Sequence, residues 1–207
     1  MRNLGLLTTR AVLGGYLAVH GAQKLFGAFG GHGLEATAAG FESMGLRPGK
    51  AMATLAGASE LGGGILTATG IADPLGPLAV AGTMVVATAV HRRQGPMSQK
   101  GGFELPLTNA ALATALMVTG PGRWRAGPRL PKRLARLAFL GAAALTAGSI
   151  LQLLRATPVE TTSGEPSTSD APSTTEETSD RDAAVTPATE ERPADGASQR
   201  TPAPATA

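Results

Sequence analysis

The sequence predicts an all-α integral membrane protein, a helical bundle followed by a disordered tail. Three observations carry that expectation. Long apolar segments recur between residues 4 and 154, each close to the roughly 20 residues that cross the hydrocarbon core of a bilayer. Glycine and alanine lie inside those segments, where small side chains let helices approach closely in lipid. The few ionisable groups inside them, among them Arg10, His20, Lys24 and Glu60, are expensive in hydrocarbon unless paired or wetted, so they are expected to face one another.

The first apolar segment runs from Leu4 to about Phe29. Its ionisable residues interrupt the run that a cleaved signal peptide would need, and no clear small-x-small cleavage pattern follows, so it reads as a retained first span. Gly14, Gly15, Ala18 and Ala22 offer a face for a neighbouring helix. In the loop from Gly30 to Lys50, Leu34, Ala38, Phe41 and Leu46 recur at approximate helical spacing, which predicts a short surface helix ending near Gly45. The second span is Ala51 to Gly70, with Glu60 at its middle and Gly57, Gly62, Gly63 and Gly64 for close packing. The third is Leu75 to Val90, nearly all Ala, Val, Leu and Gly, closing on the interfacial anchors His91, Arg92 and Arg93.

The fourth span runs from about Phe103 to Gly120. Pro106 sits in its first turn, where a missing N–H is harmless. After the basic cluster of Arg123, Arg125, Arg129, Lys132, Arg133 and Arg136, a fifth span is expected from Leu134 to Leu154. From Ala156 onward Thr, Ser and Pro make up nearly half of the chain and aromatic residues are absent. Such a segment cannot bury enough apolar surface to offset its chain entropy.

The charge balance divides at the same place. Residues 1–155 carry fifteen Lys and Arg against five Asp and Glu, whereas residues 156–207 carry three Arg against ten acids. The basic residues flank apolar stretches, so they read as headgroup anchors rather than as a nucleic-acid surface. The six-charge loop favours a cytoplasmic N-terminus in the plasma membrane, which places the tail outside the cell. Cysteine is absent, which excludes thiol catalysis, disulfides and cysteine-ligated metals. The histidines are scattered without metal-ligand spacing, and no metal or covalent cofactor is expected.

His20, Gln23 and Lys24 fall at i, i+3 and i+4 and share one helix face. If the first two spans are antiparallel neighbours, Glu60 lies at similar depth to His20. A carboxylate facing an imidazole or ammonium there could hold or pass protons or hydrogen-bond a quinone carbonyl; the plainer alternative is that it fixes helix register. Lys24 could instead send its ammonium along its stem to the headgroups. Glu104 follows Lys100-Gly-Gly-Phe and gains from a helix N-terminus. It either caps that helix or lines a mouth together with Lys24.

These residues resemble the DoxX family of small bacterial membrane proteins. The resemblance rests on Arg10-Ala-Val-Leu-Gly-Gly, on His20-Gly-Ala-Gln-Lys-Leu-Phe-Gly27, on Glu60, on Lys100-Gly-Gly-Phe-Glu104 and on Gly120-Pro-Gly-Arg123, and covers residues 4–126. It implies a four-helix membrane bundle, some of whose relatives look like subunits of quinone-linked oxidoreductases and others like parts of oxidative-stress systems. The expected organisation is a four-helix bundle over 1–126, a basic linker and fifth helix over 127–155, and the tail over 156–207.

The functional expectation is a redox-associated membrane subunit in which His20, Gln23, Lys24, Glu60 and Glu104 line a polar pocket for a quinone headgroup or a proton relay. Whether the chain is itself an enzyme stays open, since electrons would have to come from a redox partner protein or a bound cofactor. The alternatives are a non-enzymatic scaffold or envelope-stress protein and, behind it, a small transporter working as a homo-oligomer.

Overall fold

The computed structural model describes residues 1–156. Among them are six α-helices: α1 (Arg2–Phe26), α2 (Gly33–Ser43), α3 (Gly49–Thr69), α4 (Leu75–His91), α5 (Glu104–Thr119) and α6 (Lys132–Arg155), with three short 3-10 turns between them. The tail expected from Ala156 lies outside the described residues, apart from Ala156 itself. Two helical stretches, Leu75–Gln94 and Lys132–Arg155, are long and apolar enough to cross a membrane.

Glycine sets several of the helix ends. Gly27 adopts a left-handed conformation (φ 69°) and returns its N–H to the carbonyl of Gln23, so α1 stops before Phe29, sooner than the apolar run does. Gly70 ends α3 in the same way, donating to the Leu66 carbonyl. At the start of α3 the Glu42 carboxylate of α2 accepts the Gly49 N–H at 3.0 Å. It thereby places a negative charge where the helix dipole favours one and ties α2 to α3.

Helices α1 and α3 pack closely because their glycines meet. A Cβ at Gly14 would collide with the backbone of Gly64 and Ala68, and one at Gly21 with the backbone of Gly57 and Leu61. The two crossing pairs are each seven residues apart along their helices, so each lies on a single face. Gly15 and Gly62 have open space around them. They fall one or two positions off that face, so membership of a glycine-rich run does not by itself place a residue at the contact. Gly63 faces the other way, toward Gly76, Ala79 and Val80 of α4.

The core lies where α1, α4 and α5 converge, built from Leu13, Leu17, Val80, Ala81, Met84, Ala110, Ala113 and Leu116. Helix α6 packs on α4 and buries only Ser149 and Leu153. Leu134, Leu137, Phe139, Leu140, Leu151 and Leu154 remain exposed on it, the pattern of a helix whose outer face meets apolar surroundings.

The loop after α5 is stitched to the α3–α4 turn by backbone bonds. Ala126 N–H donates to Thr69 O, Ala72 N–H to Pro128 O and Leu130 N–H to Asp73 O, all at 2.8–2.9 Å. Arg10 completes the seam from inside α1. Arg10 is 2% exposed, and its guanidinium donates to the carbonyls of Pro121 (2.8 Å) and Trp124. Asp73, also buried, pairs with Arg129 at 3.0 Å. Burial pushes the Asp73 carboxyl above its ordinary value, and the nearby Arg129, Arg10 and Arg125 pull it part of the way back.

Candidate functional site

Glu60 stands at the middle of α3, one residue past its centre, with its side chain 4% exposed. A carboxylate buried to that degree needs a partner. The glycine crossing supplies one. With Gly21 seated on Gly57 and Leu61, the next turn of α1 brings Lys24 alongside α3, and its ammonium forms an ion pair and hydrogen bond with Glu60 Oε2. Lys24 therefore turns inward, toward α3.

Of the five residues singled out in the sequence, Lys24 and Glu60 are the two brought together. His20, one turn before Lys24, sets its ring edge-on against Tyr16, with centroids 4.5 Å apart at 79°. Gln23 donates from Nε2 to the carbonyl of Phe29 at 3.4 Å, steadying the chain after α1. Glu104 accepts a hydrogen bond from Ser98 Oγ at 2.7 Å. Its own N–H donates to Pro96 O, and Phe103 N–H donates to Gly95 O. That turn explains the Lys100-Gly-Gly-Phe-Glu spacing. Gly101 takes φ 75°, and a Cβ at Gly102 would strike the carbonyls of Gly95 and Met97. Glu104 thus belongs to the turn that starts α5.

The Lys24–Glu60 pair forms part of the wall of a cleft of about 460 Å³ enclosed by α2, α3, α4 and α6. Most of the lining is apolar, including Phe41, Met44, Leu46, Leu55, Leu78, Val86 and Leu145, with Ala138, Gly141 and Ala142 of α6 opposite. Polar atoms enter at few points. Thr83 and Ser149 spend their hydroxyls on carbonyls of their own helices. His91 lines the same cleft, and its Nδ1 is buried with no hydrogen-bond partner among the described residues. An apolar chamber with a charged pair and one unsatisfied imidazole nitrogen suits an apolar ligand that carries a few hydrogen-bonding atoms.

His91 was legible in the sequence only as an interfacial anchor. Its place in the cleft depends on α6 folding back against α4, which no local pattern around residue 91 encodes. His20, Gln23 and Glu104 do not line the cleft.

Residues 5–93 match the family model described as DoxX. No curated protein and no solved structure matches the chain. The matched segment contains α1 to α4, and so holds Lys24, Glu60 and His91; α6, which closes the cleft, lies beyond it. Together with the apolar helices, the match marks a membrane protein.

Proposed function

We propose, from the match of residues 5–93 to the DoxX family model, that the chain is a multi-pass membrane protein whose cleft takes a lipophilic carbonyl compound of the quinone class. Helices α1, α3, α4, α5 and α6 cross the bilayer in this reading, with the N-terminus cytoplasmic. The observation that carries it is the cleft, which combines an apolar volume of about 460 Å³, the Lys24–Glu60 pair in its wall and the unpartnered Nδ1 of His91.

Each residue has a distinct part. Glu60 keeps the Lys24 ammonium in place against the desolvation it meets in the wall. The ammonium has three N–H donors and Glu60 Oε2 takes one, so others remain to meet a carbonyl oxygen. The His91 imidazole offers a second contact, donating or accepting according to its tautomer. The apolar walls on α3, α4 and α6 hold the body of the ligand and exclude water. The chain has no cysteine, and a bound quinone would exchange its electrons with a redox partner protein.

Titration of the full-length protein in lipid nanodiscs with a short-chain menaquinone or ubiquinone analogue tests the reading. Saturable binding is expected. His91→Phe is expected to weaken it by roughly two- to tenfold, the worth of one hydrogen bond, and Ala142→Trp, which fills the cleft, to abolish it. Absence of saturable binding to the unsubstituted protein overturns the proposal.

A second reading has one observation in its favour: the Lys24–Glu60 pair sits directly beside the Gly21–Gly57 crossing. There it would fix the register of α1 on α3 in a non-enzymatic scaffold. Glu60→Gln that lowers thermal stability while leaving analogue binding unchanged favours this reading.

A further inference from the structure

Nearer the N-terminal end of α6 a second groove opens. Helices α5 and α6 both pack on α4, and where they diverge they leave a volume of about 510 Å³ lined by Pro74, Leu78, Met117, Phe139, Leu140 and the aliphatic stem of Arg136. Nothing polar from the groove floor interrupts this apolar surface.

The charges at its mouth are unusual for a helix start. The first turns of α6 hold Lys132, Arg133 and Arg136 and no acid. Cations near a helix N-terminus oppose the macrodipole, which favours negative charge there. None of the three forms an ion pair among the described residues, whereas Arg129 just before them is taken by Asp73. Lys132 and Arg133 stand at i−4 and i−3 from Arg136, and Phe139 and Leu140 at i+3 and i+4. One face of α6 therefore passes from three cations directly onto apolar groove wall.

We propose that this groove is a binding site for an anionic phospholipid, with its phosphate among Lys132, Arg133 and Arg136 and one acyl chain lying against Leu78, Met117, Phe139 and Leu140. Charge complementarity selects the anionic class, and the apolar groove requires a tail. The groove borders the α2–α3–α4–α6 cleft through Leu78, which lines both, and the proposal does not rest on what that cleft binds.

The test is thermal unfolding of the full-length protein in a neutral detergent, with added phosphatidylglycerol, phosphatidylcholine or inorganic phosphate. Phosphatidylglycerol is expected to raise the midpoint saturably, and the other two are expected not to. The double substitution Arg133→Gln/Arg136→Gln is expected to weaken the apparent affinity for phosphatidylglycerol by roughly ten- to thirtyfold. Ala135 also lines the groove, and Ala135→Phe, which crowds it while keeping every charge, is expected to remove the saturable rise. Arg92→Gln/Arg93→Gln, at the other end of the helices, is expected to leave it unchanged. Equal stabilisation by phosphatidylcholine shows an unselective apolar surface, equal stabilisation by phosphate shows an anion site without a tail, and equal loss in the Arg92/Arg93 control shows diffuse charge attraction. Any of these three results overturns the proposal.

Discussion

Replacing Lys24 with methionine strands the Glu60 carboxylate, and the two ends of the pair differ enough for the effect to be asymmetric. The Glu60 side chain is 4% exposed and that of Lys24 is 27% exposed. Breaking a buried pair by removing one partner costs about 3–5 kcal/mol, because the charge left behind is uncompensated. With the lysine end partly open, the lower figure applies, and Lys24→Met is expected to cost about 3 kcal/mol. Glu60→Gln leaves an ammonium that can slide outward on its flexible stem, and is expected to cost about 1 kcal/mol. The double substitution removes both charges, so it is expected to cost about 2 kcal/mol, less than the sum of the singles. For a chain of this size those values correspond to midpoint losses of about 6–12 °C for Lys24→Met and about 2–4 °C for Glu60→Gln. Thermal unfolding of all four proteins at one detergent-to-lipid ratio measures the cycle. Equal losses from the single substitutions, with a strictly additive double, would show that Lys24 does not hold Glu60 in a desolvated wall.

Three further outcomes follow from the packing and the seam. Gly21→Val is expected to destabilise by about 1–3 kcal/mol, because its side chain must displace the Gly57–Leu61 backbone, whereas Gly15→Ala, facing open space, is expected to change the unfolding midpoint little. Arg10→Met leaves the Pro121 and Trp124 carbonyls without their buried donor; a loss of about 1–3 kcal/mol and faster tryptic cleavage at Arg123 or Arg125 are expected. Asp73 has a folded-state value raised above its ordinary 3.8, so its contribution is fully present below that value and is lost as pH rises through the folded one. Compared with Asp73→Asn, the unsubstituted protein is therefore expected to lose relative stability from about pH 4 upward, and Arg129→Gln to shift that loss to higher pH; a midpoint difference between the two that does not vary with pH would contradict the assignment.

The helices were legible because their ends carry local signals. Pro48-Gly49, Gly70, Pro74 and Gly120 punctuate the apolar runs, so α3, α4 and α5 begin and end within a few residues of where composition alone places them. The surface helix α2 was readable from spacing in the same way. The partner of Glu60 was less legible. His20 and Lys24 share a face of α1, and the choice between them depends on the register of α1 on α3. That register is set by which glycines meet, Gly14 with Gly64 and Gly21 with Gly57, a property of the pair of helices. Arg10 could be noticed as a charge in an apolar run, but its role could not be read, because the carbonyls it binds belong to residues 121 and 124. The cleft was illegible for the same reason: its fourth wall comes from α6, and only that closure turns His91 from a terminal anchor into a lining residue.

The proposed lipophilic carbonyl ligand would lie between α3, α4 and α6, beside the Lys24–Glu60 pair. Photocrosslinking of the full-length protein in nanodiscs with an azido-quinone, followed by mapping of the labelled peptides, tests it most directly. Label is expected on cleft residues such as Leu55, Val86 and Ala142, competed away by unlabelled quinone and diminished in His91→Phe. Label confined to exposed residues outside the cleft, such as Leu137 and Leu154, or label that competitor does not remove, would count against that placement.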